Sequence, residues 1–204
     1  VRLFGNDIAR GGPRARRALG LHFVPEERLG RGAVPAASLA TNTLLTRSEP
    51  INALGWIDTG AARGLAAHLI ERFKVKAAGP PAHAASLSGG NLQKFIVGRE
   101  IDAQPKVLIV AQPTWGVDVG AAAQIRGELL ALRDAGCAVL VVSEELDELF
   151  ELSDRLVVIA RGRLSPSVGR DSELAFLASL LRKVIDAGAP QVALNSGEPG
   201  IGKT

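Results

Sequence analysis

Short apolar runs alternate along this chain with longer segments in which apolar residues recur every three or four positions. Residues 107–110 and 138–142 are apolar throughout, which is typical of strands covered on both faces of a parallel sheet. Between them, residues 119–134 have the spacing of an amphipathic helix. Strands that alternate with helices in this way predict an α/β fold with a mostly parallel sheet.

The same alternation extends over the rest of the chain up to residue 166. The other predicted elements are, in order, a strand end at 1–4, a short helix at 13–19, a strand from residue 21, helices around 36–45 and 59–73, a helix at 91–102, a helix at 145–152 and strands at 155–160 and 162–164. Proline in the first turn of the 13–19 helix, and the Pro80-Pro81 pair before the 91–102 helix, support these boundaries.

Composition narrows the kind of protein without identifying it. The chain has 204 residues and a net charge of +3, carried by scattered arginines that indicate a solvated surface rather than a nucleic-acid patch. Two Trp, six Phe and no Tyr leave few platforms for stacking single-stranded nucleic acid. No apolar run reaches membrane-spanning length. The single Cys137 and the dispersed His22, His68 and His83 suggest neither a disulfide framework nor a metal site.

The octapeptide LSGGNLQK at residues 87–94 carries the most specific chemistry. Ser88, Gly89 and Gly90 stand at a predicted helix start, where unpaired backbone N–H groups can bind an anion and glycines permit its close approach. Taken alone, Ser-Gly-Gly is equally compatible with an ordinary turn. Its context makes it specific: the strand at 107–110 is followed by Ala111-Gln112-Pro113-Thr114 and by Trp115-Gly116-Val117-Asp118.

Together these segments resemble the signature motif, Walker B strand and D-loop of ATP-binding cassette (ABC) ATPases, and residues 141–144 resemble the family's switch strand. The resemblance covers about residues 1–166 and is closest to the second cassette of tandem ATPase subunits that serve simple-sugar and nucleoside importers. It implies a partial P-loop NTPase fold with a helical subdomain at about residues 33–102. The family's own P-loop belongs upstream of the signature, and residues 1–86 contain no such motif, so we expect a cassette without its P-loop.

The resemblance also implies which residues contact ATP, the cofactor expected with Mg²⁺ in the complete complex. These residues are Ser88, Gly89, Gly90, Gln93, Asp118 and Glu26, the last in place of the family's Q-loop glutamine. Asp118 is at the same time a candidate N-cap for the helix that follows it. Trp115 either packs on a partner cassette or covers the end of the strand.

Three family positions lack the residues that support hydrolysis. Ala111 has no oxygen to offer a magnesium ion, and Gln112 cannot accept a proton from an attacking water as a carboxylate does. Glu144 stands where the family has a histidine that contacts the terminal phosphate, and its charge is unfavourable beside an anion. We therefore predict that the chain alone has no intact catalytic residue, no metal ligands and no ATPase activity.

The family relationship implies partners as well. We expect a second ABC cassette, to whose nucleotide the LSGG segment contributes in trans, and transmembrane permease subunits, with no nucleic acid. Such a chain is cytoplasmic and peripheral, held on the inner face of the cell membrane by the permease.

Residues 167–204 differ in character from the rest. A leucine-spaced helix at 171–186 and a strand at 191–194 lead into GEPGIGKT at 197–204, a complete G-x-x-x-x-G-K-T motif. This segment resembles the start of an AAA-related signalling ATPase. We expect a short helix–strand–loop appendage that folds separately, whose strand has no partner. Its incomplete second P-loop comprises Gly197, Gly202, Lys203 and Thr204.

Three hypotheses follow from these patterns. The first is a hydrolysis-deficient importer cassette that supplies its signature to a catalytic partner. The second is a truncated fusion with a signalling AAA-type ATPase. The third is an inactive gene fragment that retains only the fold and some dimer contacts.

Overall fold

A computed structural model describes residues 1–52, 54–160, 162–165, 168–169 and 192–195. The helices are α1 (Pro13–Ala18), α2 (Leu39–Thr43), α3 (Thr59–Arg72), α4 (Gly89–Asp102), α5 (Val119–Asp134) and α6 (Leu146–Leu152), with a 3-10 turn at Ala84–Ser86. The strands are β1 (Arg2–Leu3), β2 (Asn6–Asp7), β3 (Leu21–Val24), β4 (Val107–Ala111), β5 (Ala138–Ser143), β6 (Arg155–Ala160), β7 (Arg163–Leu164), β8 (Val168–Gly169) and β9 (Val192–Asn195).

The centre of the fold is a parallel sheet in the strand order β3-β4-β5. Leu108, Val110 and Val141 are almost completely buried, because helices cover both faces of these apolar strands. The predicted α/β class and parallel sheet are confirmed. β4 extends one residue further than predicted, so Ala111 is its last residue.

The far side of the sheet is antiparallel and includes the C-terminal strand. β9 lies between β5 and β6, where Leu194 pairs with Val142 on one side and with Val157 on the other. The prediction that a strand near 191–194 has no partner is therefore wrong. β5 and β6 run in the same direction without being neighbours, and a strand between them satisfies N–H and C=O groups that both edges would otherwise leave unpaired.

β9 has a definite direction relative to the sheet. It runs from Val192 toward Asn195, antiparallel to β5, and so away from the edge at which β4 and β5 end. The helix predicted at 171–186 and the GKT motif at 197–204 lie outside the described residues. The domain boundary near residue 166 stays a prediction.

The helices α2 and α3 form a helical insert between β3 and α4. The first residue of α2 differs from the predicted one because of a local helix cap. Ser38 caps α2, with its Oγ accepting the Thr41 N–H at 3.0 Å, so the helix begins at Leu39 rather than at residue 36. Asn42 is buried and its side-chain amide donates to the carbonyls of Val34, Ala37 and Ser38. One amide therefore fixes the loop that leads into the insert. Among the described residues, no helix is long and apolar enough to cross a membrane.

Helix α4 carries a buried ionic cluster. Arg99 is 2% exposed and donates from Nε to Glu100 at 2.9 Å, and from Nη1 and Nη2 to the carbonyls of Asn42 and Gly32. Glu100 is fully buried, and its other oxygen lies 2.9 Å from Nδ1 of His22 on β3. The cluster therefore joins α4 to the sheet and to the insert.

The electrostatics of Glu100 make this cluster sensitive to pH. Burial raises the pKa of Glu100, but the hydrogen bond with His22 and the charge of Arg99 outweigh burial and hold the pKa below its ordinary value. The ionised carboxylate therefore stabilises the fold above the unfolded-state pKa of about 4.3. That contribution is lost as the pH falls through the lowered folded-state pKa.

We predict that Glu100→Gln lowers the free energy of unfolding at pH 7 by about 3–5 kcal/mol, because it leaves Arg99 as an unpaired buried charge. The difference from the unmodified chain should begin to shrink below about pH 4.3, where Glu100 of the parent becomes protonated in the unfolded state. It should be lost only below the lowered folded-state pKa. Urea unfolding at a series of pH values measures both effects. Glu27→Gln is the control, because Glu27 pairs with Arg31 on the surface and its loss should cost under about 1 kcal/mol. A loss that is equal for the two variants would contradict a buried pair.

A second prediction concerns the contact between α3 and α4. A Cβ atom at Gly98 would lie 2.4 Å from the ring of Phe73, which is itself buried. Gly98→Ala should therefore lower the free energy of unfolding by about 1–3 kcal/mol through overpacking. Gly127→Ala, in α5 with open space around it, should instead stabilise by about 0.5–1 kcal/mol through helix propensity. Stabilisation by Gly98→Ala would disprove the close approach.

Candidate functional site

The LSGG segment forms the N-terminus of α4. The helix begins at Gly89, two residues before its predicted start, because Ser88 acts as the N-cap. Ser88 Oγ accepts the Asn91 N–H at 3.4 Å and lies 2.8 Å from Asn91 Nδ2. Ser88 and Gly89 are exposed and Gly90 is half-buried. The first-turn amides have no partner within the helix and are directed toward the surface.

The loop after β4 lies directly beside this helix start. A Cβ atom at Gly90 would lie 3.4 Å from Asp118 Oδ2 and 3.6 Å from Val117 Cβ. Asp118 caps α5, with Oδ1 accepting the Ala121 N–H at 2.9 Å. This bond lowers the pKa of the exposed Asp118 carboxyl. Asp118 is therefore the predicted N-cap of α5. Its carboxylate lies beside residues 88–90, which we call the signature turn.

Ala111, Gln112 and Glu144 are the three positions that depart from the family pattern, and they lie together at the edge of the sheet where β4 and β5 end. Gln112 adopts a φ of 48°, an uncommon conformation for a residue other than glycine. Its Oε1 lies 3.5 Å from both the hydroxyl of Ser143 and the backbone N–H of Glu144. Ala111 precedes it as the end of β4. Parallel strands bring these residues together, as their sequence positions predict.

This edge does not fit a magnesium ion held as in active cassettes. Ala111 offers no side-chain oxygen, and the amide oxygen of Gln112 faces Ser143 and the backbone of Glu144. The described part of the chain contains no cluster of three or more His, Cys, Asp or Glu side chains that could hold a metal ion. Glu144 is exposed and is the one ionisable side chain among the three substituted positions.

The two remaining sequence-predicted contacts occupy different environments. Glu26 is exposed and lines an open cavity of about 990 Å³ together with Ala111 and Trp115. Gln93 is 1% exposed, and its amide donates to the carbonyl of Pro113 at 3.0 Å. Gln93 therefore bridges α4 to the loop after β4. Its contact with ATP stays a prediction.

Sequence reasoning missed two residues next to this site. Glu148 is 4% exposed and accepts a hydrogen bond from Thr114 Oγ1 at 2.6 Å. Arg28 is one of the scattered arginines that indicate a solvated surface, yet it donates from Nε to Gln93 at 3.1 Å and from Nη2 to the carbonyl of Trp115. All three contacts join residues far apart in sequence, and no local pattern reveals them.

Comparison with known proteins identifies relatives over most of the chain. It is 41% identical over 183 residues to the nucleoside import ATP-binding protein NupA of Lactococcus lactis subsp. cremoris, covering 87% of this chain. It is 42% identical over 170 residues to the guanosine import ATP-binding protein NupO of Bacillus subtilis, and 34% identical over 200 residues, 98% of this chain, to the ribose import ATP-binding protein RbsA 2 of Rubrobacter xylanophilus. No family model matches the chain.

Solved structures agree in fold. An ATP-binding subunit of an ABC transporter superposes with a TM-score of 0.68 at 20% identity, covering 89% of this chain and 74% of that one. A dimeric cassette bound to ADP and Pi gives a TM-score of 0.59 at 16% identity, covering 74% of this chain and 63% of that one. The chain has the fold of an ABC ATPase cassette, and its relatives over most of its length are import ATP-binding proteins. It spans 36%, 33% and 38% of the length of the three relatives named above.

We predict that Ser88→Ala lowers the free energy of unfolding by about 1 kcal/mol, because the first turn of α4 loses its cap. Ser88→Asp should retain most of the stability, since a carboxylate also accepts from the first-turn amides. Urea unfolding of the two variants beside the parent provides the measurement. Equal losses for alanine and aspartate would show that Ser88 does not cap the helix.

Proposed function

We propose that this chain is the ATP-binding component of an importer for a sugar or a nucleoside. Three relatives named for nucleoside, guanosine and ribose import support this assignment. ATP, with Mg²⁺, is the nucleotide of the complete complex, and the dimeric cassette bound to ADP and Pi is a structural precedent for pairing. The partners are a second ABC cassette and transmembrane permease subunits, which hold the chain at the cytoplasmic face of the cell membrane.

Within that complex the chain contributes its LSGG segment in trans. The observation that carries this proposal is the exposed Ser88–Gly89 turn at the start of a 14-residue helix. The N–H groups of Gly89 and Gly90, which have no acceptor within the helix, and the positive end of the helix dipole favour an anion such as a terminal phosphate. Asp118 caps the adjacent helix, and its carboxylate lies beside the turn.

The chain does not itself hydrolyse ATP. General-base activation of a water needs an acceptor near the phosphate, and Gln112 has only an amide there. Ala111 cannot ligate a cation, and the charge of Glu144 opposes the charge that develops on the phosphate. These three residues support a regulatory role, in which the chain helps to bind and orient the nucleotide and transfers no proton.

The first test is turnover by the purified chain. We expect no Mg²⁺-dependent ATP hydrolysis above background, and none after Ala111→Asp and Gln112→Glu are introduced together, because a phosphate-binding loop is also required. A coupled phosphate-release assay measures both. Turnover that follows the chain through repeated purification would contradict the proposal.

The second test measures how the LSGG segment affects ATP hydrolysis at a partner cassette. It uses a chimera in which this chain replaces the matching segment of NupA. Ser88→Arg should reduce the ATPase kcat by about a hundredfold, the scale for losing a donor to the transition state. Ser86→Arg is the matched control, because Ser86 is also exposed and bonds only to the His83 carbonyl in its own turn. Small, equal effects at both serines would mean that LSGG is only a turn.

A further inference from the structure

Arg28 lies where three separate segments meet. Its own segment follows β3, its Nε donates to Gln93 on α4 at 3.1 Å, and its Nη2 donates to the Trp115 carbonyl in the loop after β4. The guanidinium carbon also lies 5.9 Å from the centre of the Trp115 ring, within the range of a cation–π contact. The guanidinium of Arg28 therefore contacts both the indole ring and the backbone carbonyl of Trp115.

Two glycines leave the space that the guanidinium occupies. A Cβ atom at Gly89 would lie 2.8 Å from Arg28 Nη1, so a larger residue in the signature turn would displace the arginine. On the other side, a Cβ at Gly116 would lie 3.8 Å from Nη2, and the φ of 61° at Gly116 turns the loop back toward Arg28. The guanidinium thus lies between Gly89 and Gly116, beside the direct contact of Gly90 with Val117 and Asp118.

We propose that Arg28 is a positioning residue that sets the distance and orientation between the signature turn and the 115–118 loop. The inference rests on the proposed function, because these two segments form the surface that would face a partner's nucleotide. Arg28 acts through Gln93, which is bonded in turn to the Pro113 carbonyl, and through Trp115. Gln93 is 1% exposed, and its amide is bonded both to Arg28 and to the Pro113 carbonyl.

The geometry requires arginine rather than any cation. The bonds to Gln93 and to the Trp115 carbonyl leave the same planar fork in two directions, while its central carbon lies over the indole ring. A lysine ammonium is a single point charge that cannot hold all three partners at once. Arg31, three residues on, contrasts with it because its guanidinium is exposed and, among the described residues, pairs with Glu27 alone.

The test follows the motion of Trp115 directly. The chain has two tryptophans, so Trp56→Phe leaves Trp115 as the single reporter. Time-resolved fluorescence anisotropy then measures local indole motion on the nanosecond scale. Arg28→Ala should raise the amplitude of that motion by about twofold, because the ring loses its cation and its backbone loses an anchor. Arg28→Lys should behave as alanine does, and Arg31→Ala should leave the motion unchanged.

Unchanged motion in Arg28→Ala, or full rescue by lysine, would overturn the positioning role. Far-UV circular dichroism establishes that each variant is folded. If Arg28→Ala does not fold, Arg28→Gln takes its place, since it keeps part of the side chain while losing the charge and the fork, and the same rise is expected. The measurement involves no nucleotide and no partner. A negative result here therefore leaves the importer assignment intact, and a failure of the chimera leaves the Arg28 result intact.

Discussion

The buried pair of Arg99 and Glu100 is the interaction on which the arrangement of the molecule depends. Two charges removed from water destabilise a fold unless each of their polar atoms is satisfied. Here the carbonyls of Gly32 and Asn42 and the imidazole of His22 supply the remaining partners. Because these partners belong to the sheet and the insert, their bonds can form together only when α4 has one position and one rotation.

The fixed position of α4 determines the contacts at both ends of the helix. At its N-terminus, the fixed helix axis presents the signature turn beside Asp118 and Arg28. At its C-terminus, Asp102 accepts from Arg47, His68 and Arg72 within 3.0 Å. Burial raises the pKa of Asp102, but these three donors outweigh it and lower the pKa overall. The helix is thus held along its length by charge-assisted bonds rather than by apolar packing alone.

Most of the regular framework could be predicted from the sequence, because its determinants are local. The bounds of α5 match the predicted ones, since Asp118 caps the helix and Gly136 adopts the left-handed conformation that follows it. β5 extends one residue beyond the apolar run at 138–142. The positions of Ala111, Gln112 and Glu144 also follow from strand order. By contrast, the burial of Gln93 and Glu148 and the pairing of β9 depend on contacts between distant segments, which local periodicity does not encode.

The place of β9 has a consequence for the order in which the chain folds. Leu194 of β9 pairs with Val142, but β9 is synthesised after every other strand that the structure describes. The parallel pairs of β3, β4 and β5 do not need that strand, and the N-terminal parts of a chain fold first during synthesis. We therefore expect β9 to dock late, onto a sheet that is already formed, so the gap between β5 and β6 is open to any competing strand during synthesis.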